Sequence, residues 1–194
     1  MRIASRVKRQ HRFLYLYDLL YELVGRDLKL RYRRSVLGLL WTLLNPLAQL
    51  LVLSLVFGVM LPLNIPDYPL FLFTGLLAWN WFQTSLHAGT GSIVDNRDLI
   101  RRPGFPAAVL PVVTVAANFI HFLFGLPILV GLMLLFGSPI RVAFLALPVV
   151  FAVQFLLSLS LIYFLAAIQV TFWDTQYLVG IVLLLGFYLT PVFY

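Results

Sequence analysis

Between Ser35 and Pro66 no residue carries a formal charge, whereas five of the nine residues just before that run, Arg26, Lys29, Arg31, Arg33 and Arg34, are cationic. Within about one helical turn the chain passes from its most polar stretch to one suited to hydrocarbon. Charges then divide the remainder into four more uncharged runs: Tyr68 to Val94, Pro103 to Ile140, Val142 to Trp173 and Thr175 to Tyr194. Since roughly 20 apolar residues cross a bilayer as a helix, each run has room for one span. The pattern predicts an all-α integral membrane fold with spans near 36–61, 69–91, 107–136, 142–170 and 177–193. A chain 62% hydrophobic and 11% charged cannot cover its apolar side chains as a soluble globule.

The cations decide sidedness. Ten of the 14 Lys and Arg precede residue 35, Arg97, Arg101 and Arg102 form a second cluster, and Arg141 is the last. Cationic clusters beside apolar runs mark cytoplasmic flanks facing anionic headgroups, so the N-terminus and the 95–102 loop are expected inside, and the link at Asp67 outside. Arg141 then falls on the outer face, one cation against thirteen. A net charge of +7 clustered in this way argues against a nucleic-acid partner. Cysteine is absent, which excludes disulfides and thiolate metal sites and leaves the redox compartment undetermined. The first apolar run is too long for a signal peptide.

Residues 1–12 read as an irregular basic tail. From Phe13 to Arg34, Asp18, Glu22, Arg26, Lys29 and Arg33 form one polar stripe and Leu16, Leu20, Val24 and Leu28 the opposite one. That spacing predicts an amphipathic helix in the cytoplasmic interface, with Glu22 and Arg26 as an i,i+4 pair, serving as a lipid anchor or a partner-binding helix. The loop DNRDLIRRPGFP, residues 95–106, is expected to hold a short helix through Arg102 capped by Asp95 or Asn96; it fits a docking knob or a plain connection equally. Asn45-Pro46 should kink the first span.

Two polar stripes cross the spans: Asn80, Gln83, Thr84 and His87, then Thr114, Asn118, His121 and Gly125. Each must bond between helices or face a polar path. His87 and His121 also admit a haem or metal reading, thin without carboxylates or thiolates at ligand spacing. No Asp or Glu lies deep in a span, and GxxxxGK[ST], GxSxG and HExxH are absent, so the chain has no catalytic site or cofactor of its own in view and any uphill transport draws on a partner. With 17 Phe, 9 Tyr and 4 Trp, rings beyond the interfacial belts, such as Trp79, Trp81 and Phe187, suit a path for sugars.

The segment RDLKLRYRRSVLGLLWTLLNPL resembles the start of the first span in permease subunits of type-2 ABC exporters for polysaccharides of the O-antigen, teichoic acid and capsule type. NRDLIRRPGFPAAVLPV and FWDTQYLVGIVLLLGFYLTPVFY resemble the same family's first cytoplasmic loop with its third span, and its second cytoplasmic loop with its fifth. The resemblance implies a multi-pass protein of the cytoplasmic (inner) membrane that dimerises and docks a separate ATPase subunit carrying the ATP and Mg. It implies a cytoplasmic tail and interfacial gate helix over 1–34, the gate helix being Phe13 to Arg34, and a transmembrane domain over 35–194, with re-entrant helices and a sixth span following TPVFY in the family. It makes Asp95, Asn96, Arg97, Asp98, Arg101 and Arg102 a coupling helix and Asp174 and Gln176 a second ATPase contact. Arg26, Lys29, Arg31, Arg33 and Arg34 would meet the diphosphate of a lipid-linked glycan, and Trp41, Asn45, Trp79, Asn80, Gln83, Phe187 and Tyr188 are channel-lining candidates. A permease for a drug or another lipid is the nearest alternative.

Because the chain has no native cysteine, a single Arg102→Cys is a clean reporter of sidedness. A membrane-impermeant thiol reagent should label it in inside-out vesicles and leave it untouched in intact cells.

Overall fold

The computed structural model describes residues 2–32, 40–60, 65–137 and 142–191, and all regular structure among them is helical. Helix α1 spans Arg2–Tyr32 and α2 Leu40–Leu55, prolonged by a π-helical turn at Val56–Met60. Then come α3 (Tyr68–Gly91), the single turn α4 (Arg97–Ile100), α5 (Val109–Leu135), α6 (Leu147–Thr171) behind a 3-10 turn at Val142–Ala146, and α7 (Thr175–Leu189). At 1.5 Å per residue the 27 residues of α5 measure about 40 Å, more than the hydrocarbon thickness. Val109–Leu135 and Phe144–Thr171 are long and apolar enough to cross a membrane, while Leu43–Gly58 and Thr175–Leu189 are shorter apolar helices.

Two expectations are corrected. Helix α1 begins at Arg2, so the stretch read as an irregular tail is helical. The cap proposed for the 95–102 helix is not formed: Asn96 stands at the N-cap of α4, yet its amide nitrogen donates to the Ser92 carbonyl at 2.9 Å instead. Pro46 lies inside α2, which continues through it, and the irregular turn comes later at Val56–Met60. Pro69 and Pro148 fall in the first turns of α3 and α6, where the missing N–H has no helical partner to lose. Helix α5 stops where Gly137 takes φ +64 and its N–H reaches the Leu134 carbonyl at 3.3 Å, a left-handed position that a side chain would resist.

Helix α3 is the hub, packed against α2, α5, α6 and α7. Leu72, Phe73 and Leu76 are fully buried along it, which is why a helix carrying Asn80, Gln83 and Thr84 sits at the centre. The outer faces of α6 and α7 expose Val153, Leu156, Phe164, Ile181 and Leu185, side chains suited to lipid or to another apolar surface. Threonines within the helices satisfy themselves: Thr74, Thr84, Thr90 and Thr114 each donate to the carbonyl four residues earlier. For Thr84 and Thr114 this replaces the interhelical role that the polar stripes suggested.

Between apolar helices in lipid, burial from water contributes nothing, and close approach does the work of association. A β-carbon on Gly89 would lie 2.6 Å from Ile162 Cγ2, and one on Gly125 would lie 2.5 Å from Leu77 Cδ2, so these glycines let α3 meet α6 and α5. Gly89→Leu or Gly125→Leu should cost about 1–3 kcal/mol through overpacking, read as a lower unfolding midpoint in detergent. Gly131→Ala, with open space at its position, should leave the midpoint unchanged or slightly higher.

Candidate functional site

One end of the bundle carries the charged loops, and there the chain is locked residue by residue. After α3, Ser92 N–H donates to the Gly89 carbonyl at 3.1 Å and Asp95 N–H to the Gly91 carbonyl at 2.9 Å, turning the chain back. Gly91 has no room for a side chain, because a β-carbon would meet Asp95 Oδ2 at 2.6 Å and the Gln176 amide at 3.2 Å. The turn α4 is held by Leu99 N–H and Arg101 N–H on the Asn96 and Arg97 carbonyls, at 3.0 Å each, and Gly104 at φ +80 ends the loop. Asp95, Arg97, Asp98, Arg101 and Arg102 are exposed.

The loop between α6 and α7 joins the same surface. The Arg97 guanidinium lies 4.5 Å from the Trp173 ring centroid, a cation–π contact between the two loops. Gln169 braces the loop from below: its Nε2 donates to the Trp173 carbonyl at 2.9 Å, and its Oε1 accepts from Gln176 N–H at 2.8 Å. Gln176, expected as a partner contact, donates through its amide to the His87 carbonyl at 3.2 Å. Asp174 remains exposed, at the N-cap of α7 with no side-chain cap bond.

Helix α1 is fastened to both the loop and the bundle. Arg26 Nη2 donates to Asn96 Oδ1 at 3.1 Å, directing to the loop a guanidinium that sequence spacing paired with Glu22. Further along, Arg31 Nη1 donates to Asn118 Oδ1 at 3.1 Å, and Asp27 Oδ2 lies 3.8 Å from Arg31 Nη2. Asn118 is nine residues into α5, about 14 Å from its start, so the end of α1 packs beside the bundle below its rim. Lys29 is exposed, and Arg33 and Arg34 lie outside the described residues.

Where α1, α2, α3 and α5 meet, a cavity of about 150 Å³ is lined by Arg31, Trp41, Asn45, Asn80, Thr84, Asn118 and His121, with Pro46, Leu77, Trp81 and Phe122 closing it. Asn80 Nδ2 donates to Gln49 Oε1 at 3.0 Å and to the Leu76 carbonyl at 2.9 Å, tying α3 to α2. The channel-lining candidates therefore fall into two groups. Trp41, Asn45 and Asn80 border this cavity; Trp79, Gln83, Phe187 and Tyr188 gather between α3 and α7, with Trp79 Nε1 donating to Gln83 Oε1 at 2.8 Å and its ring 6.0 Å from Phe187.

Trp81 belongs to packing, since its ring centroid lies 4.9 Å from Phe119 and 5.1 Å from Phe122. His121 borders the cavity while His87 lies against Gly180 of α7, so the two face different neighbours. No group of three or more His, Asp or Glu suited to a metal gathers among the described residues. Sequence reading assigned no role to Gln49 or Gln169; an amide inside an otherwise apolar run was the available signal.

The family model for the ABC-2 type transporter matches residues 18–194. The O-antigen export system permease protein RfbA of Myxococcus xanthus is 46% identical over 184 residues, covering 94% of this chain and 71% of that protein. The protein of the same name from Klebsiella pneumoniae is 31% identical over 189 residues, covering 97% and 73%. The polysialic acid transport protein KpsM of Escherichia coli is 33% identical over 96 residues, 48% of this chain and 35% of that protein.

An exposed cation–π contact contributes about 0.5–1 kcal/mol. Trp173→Ala should therefore raise amide exchange in residues 95–102 about two- to fivefold with the unfolding midpoint preserved, whereas Trp173→Phe should restore much of the protection.

Proposed function

The chain belongs to the ABC-2 type transporter family, and on that premise we propose how it works as the permease subunit of a polysaccharide exporter of the O-antigen type. The observation that carries this reading is the 46% identity over 184 residues to an O-antigen export permease. In the proposed mechanism the chain has no catalytic site: ATP and Mg bind a separate ABC ATPase subunit, and this chain converts its movement into a path for the glycan. Five helices, α2, α3, α5, α6 and α7, cross the inner membrane, with the N-terminus and the charged loops in the cytoplasm.

The ATPase pushes on α4 and its flanks, Asp95 to Arg102, with Asp174 as a smaller contact. Three connections support this assignment. Arg97 on Trp173 makes the two loops one body, Gln169 and Gln176 tie that body to α6, α7 and α3, and Arg26 on Asn96 links it to α1. A displacement of α4 then carries the end of α1 with it, and α1 in turn is bonded to α5 through Arg31.

Two copies enclose the channel, with α2 and α7 along it. The exposed Trp41, and separately the exposed Tyr188 beside the Phe187 ring that Trp79 also meets, support surfaces on which sugar rings stack through their C–H faces. The cargo is a glycan on a lipid diphosphate, whose phosphates meet the cations of α1, Arg26, Lys29 and Arg31 together with Arg33 and Arg34.

Arg101 and Arg102 are exposed, so charge reversal tests docking without disturbing the packing of the bundle. Arg101→Glu with Arg102→Glu should reduce co-purification of the ATPase at least tenfold and abolish surface glycan while the permease still inserts. Unchanged co-purification would overturn the assignment of this loop.

A further inference from the structure

Between α3, α5 and α6, at the end of the bundle opposite the charged loops, lies an elongated cavity of about 350 Å³. Its walls run from Leu70 to Ala78 on α3, from Phe122 to Met133 on α5 and from Leu147 to Gln154 on α6. Phe122 and Met133 are about three turns apart, so the cavity is about 16 Å long at 1.5 Å per residue. The end nearer the charged loops is closed where Gln154 Nε2 donates to the Ala78 carbonyl at 2.8 Å and pins α6 to α3. One side is open, since Thr74 of α3, Val150 of α6 and Phe144 in the turn before α6 are exposed.

Water does not suit this groove. Only Thr74 and Gln154 among its lining residues have polar side chains; the Thr74 hydroxyl donates to the Leu70 carbonyl at 2.8 Å, and the Gln154 amide nitrogen is taken by Ala78. An ordered water needs several polar partners, and apolar cavities stay dry. Left empty, the groove would forfeit the dispersion contacts of its walls. Spread over its length, the volume gives a mean section of about 20 Å², a bore of roughly 5 Å, which takes a single file of methylenes at contact distances of about 4 Å. A polypeptide helix, about 10 Å across with its side chains, does not fit. The length points the same way, because one leaflet of a hydrocarbon core about 30 Å thick is about 15 Å deep.

We infer that this groove holds one acyl chain of a bilayer phospholipid, drawn from the leaflet at that end of the bundle and entering between Thr74 and Val150. The site rests on the reading that α3, α5 and α6 cross the bilayer, and on nothing about the cargo. The lipid chain then belongs to the packing of the fold. Toward the charged loops, Gly89 lets α3 close directly on Ile162 of α6; at the other end the acyl chain supplies the contact that side chains leave open.

The test is photocrosslinking of the purified permease in bilayer nanodiscs, with phosphatidylglycerol carrying a diazirine midway along one acyl chain and mass spectrometry to locate the labelled residues. Helix α5 carries its own control. Leu126, Leu129 and Met133 line the groove, whereas Val130 and Leu134, 51% and 74% exposed, lie outside its lining. Both sets should be labelled in the wild type. Val150→Trp, which places bulk at the opening, should lower labelling of the groove set about fivefold relative to Val130 and Leu134, the factor given by the low end of an overpacking cost. Should Val150→Trp fail to fold, Thr74→Trp on the opposite wall takes its place with the same expected loss. Labels confined to Val130 and Leu134 in the wild type overturn the site, as they would if the groove were empty or covered by polypeptide. Equal labelling of the groove set in the wild type and a folded plug variant overturns it too. Absence of label from both sets overturns the spanning reading, and the site with it.

Discussion

Hydrocarbon offers polar groups no partner, so an amide or guanidinium in this bundle gains most where another part of the chain answers it. The positions of the helices follow from the answers. Asn80 bonds Gln49 and holds α2 to α3, Gln154 Nε2 donates to the Ala78 carbonyl at 2.8 Å and holds α6 to α3, and Arg31 bonds Asn118 and holds α1 to α5. Because apolar burial distinguishes poorly between one greasy neighbour and another in lipid, these few bonds and the close approaches at Gly89 and Gly125 select the arrangement.

The same economy explains why the charged end is stiff. Short loops alone would hinge, but here each loop is held by a side chain from elsewhere: Asn96 by Arg26, Trp173 by Arg97, Gln176 by Gln169. Under the proposed mechanism such bracing would matter, since a push absorbed by a flexible turn never reaches the spans. Exposed charge and internal bracing are accordingly divided between neighbours. Arg101 and Arg102 face outward, while Arg97 and Arg26 face other parts of the chain.

Much of this was legible in the residues and some was not. The uncharged runs marked the helices to within a few residues, with α3 starting at Tyr68 and α5 ending at Leu135, because charge is excluded wherever lipid surrounds the chain. The stop at Gly137 and the break at Gly104 were visible as glycines. The start of α1 at Arg2 was not, since a basic stretch without clear periodicity resembles a tail in sequence. Nor was the fate of the polar stripes. Thr84 and Thr114 turn to their own helices, whereas Asn80 and Asn118 cross to others, and residue type plus spacing cannot separate the two.

The sequence by itself determined that this chain is a helical membrane protein, where its charges cluster, and which family of permeases it resembles, because composition and charge spacing act locally along the chain. Tertiary structure alone decided that Arg26 belongs to Asn96, that Trp173 closes over Arg97, and that Arg31 reaches Asn118. Those partners lie dozens of residues apart, and only the packing of α5 and α6 on α3, with α1 against α5, brings them within a few ångströms.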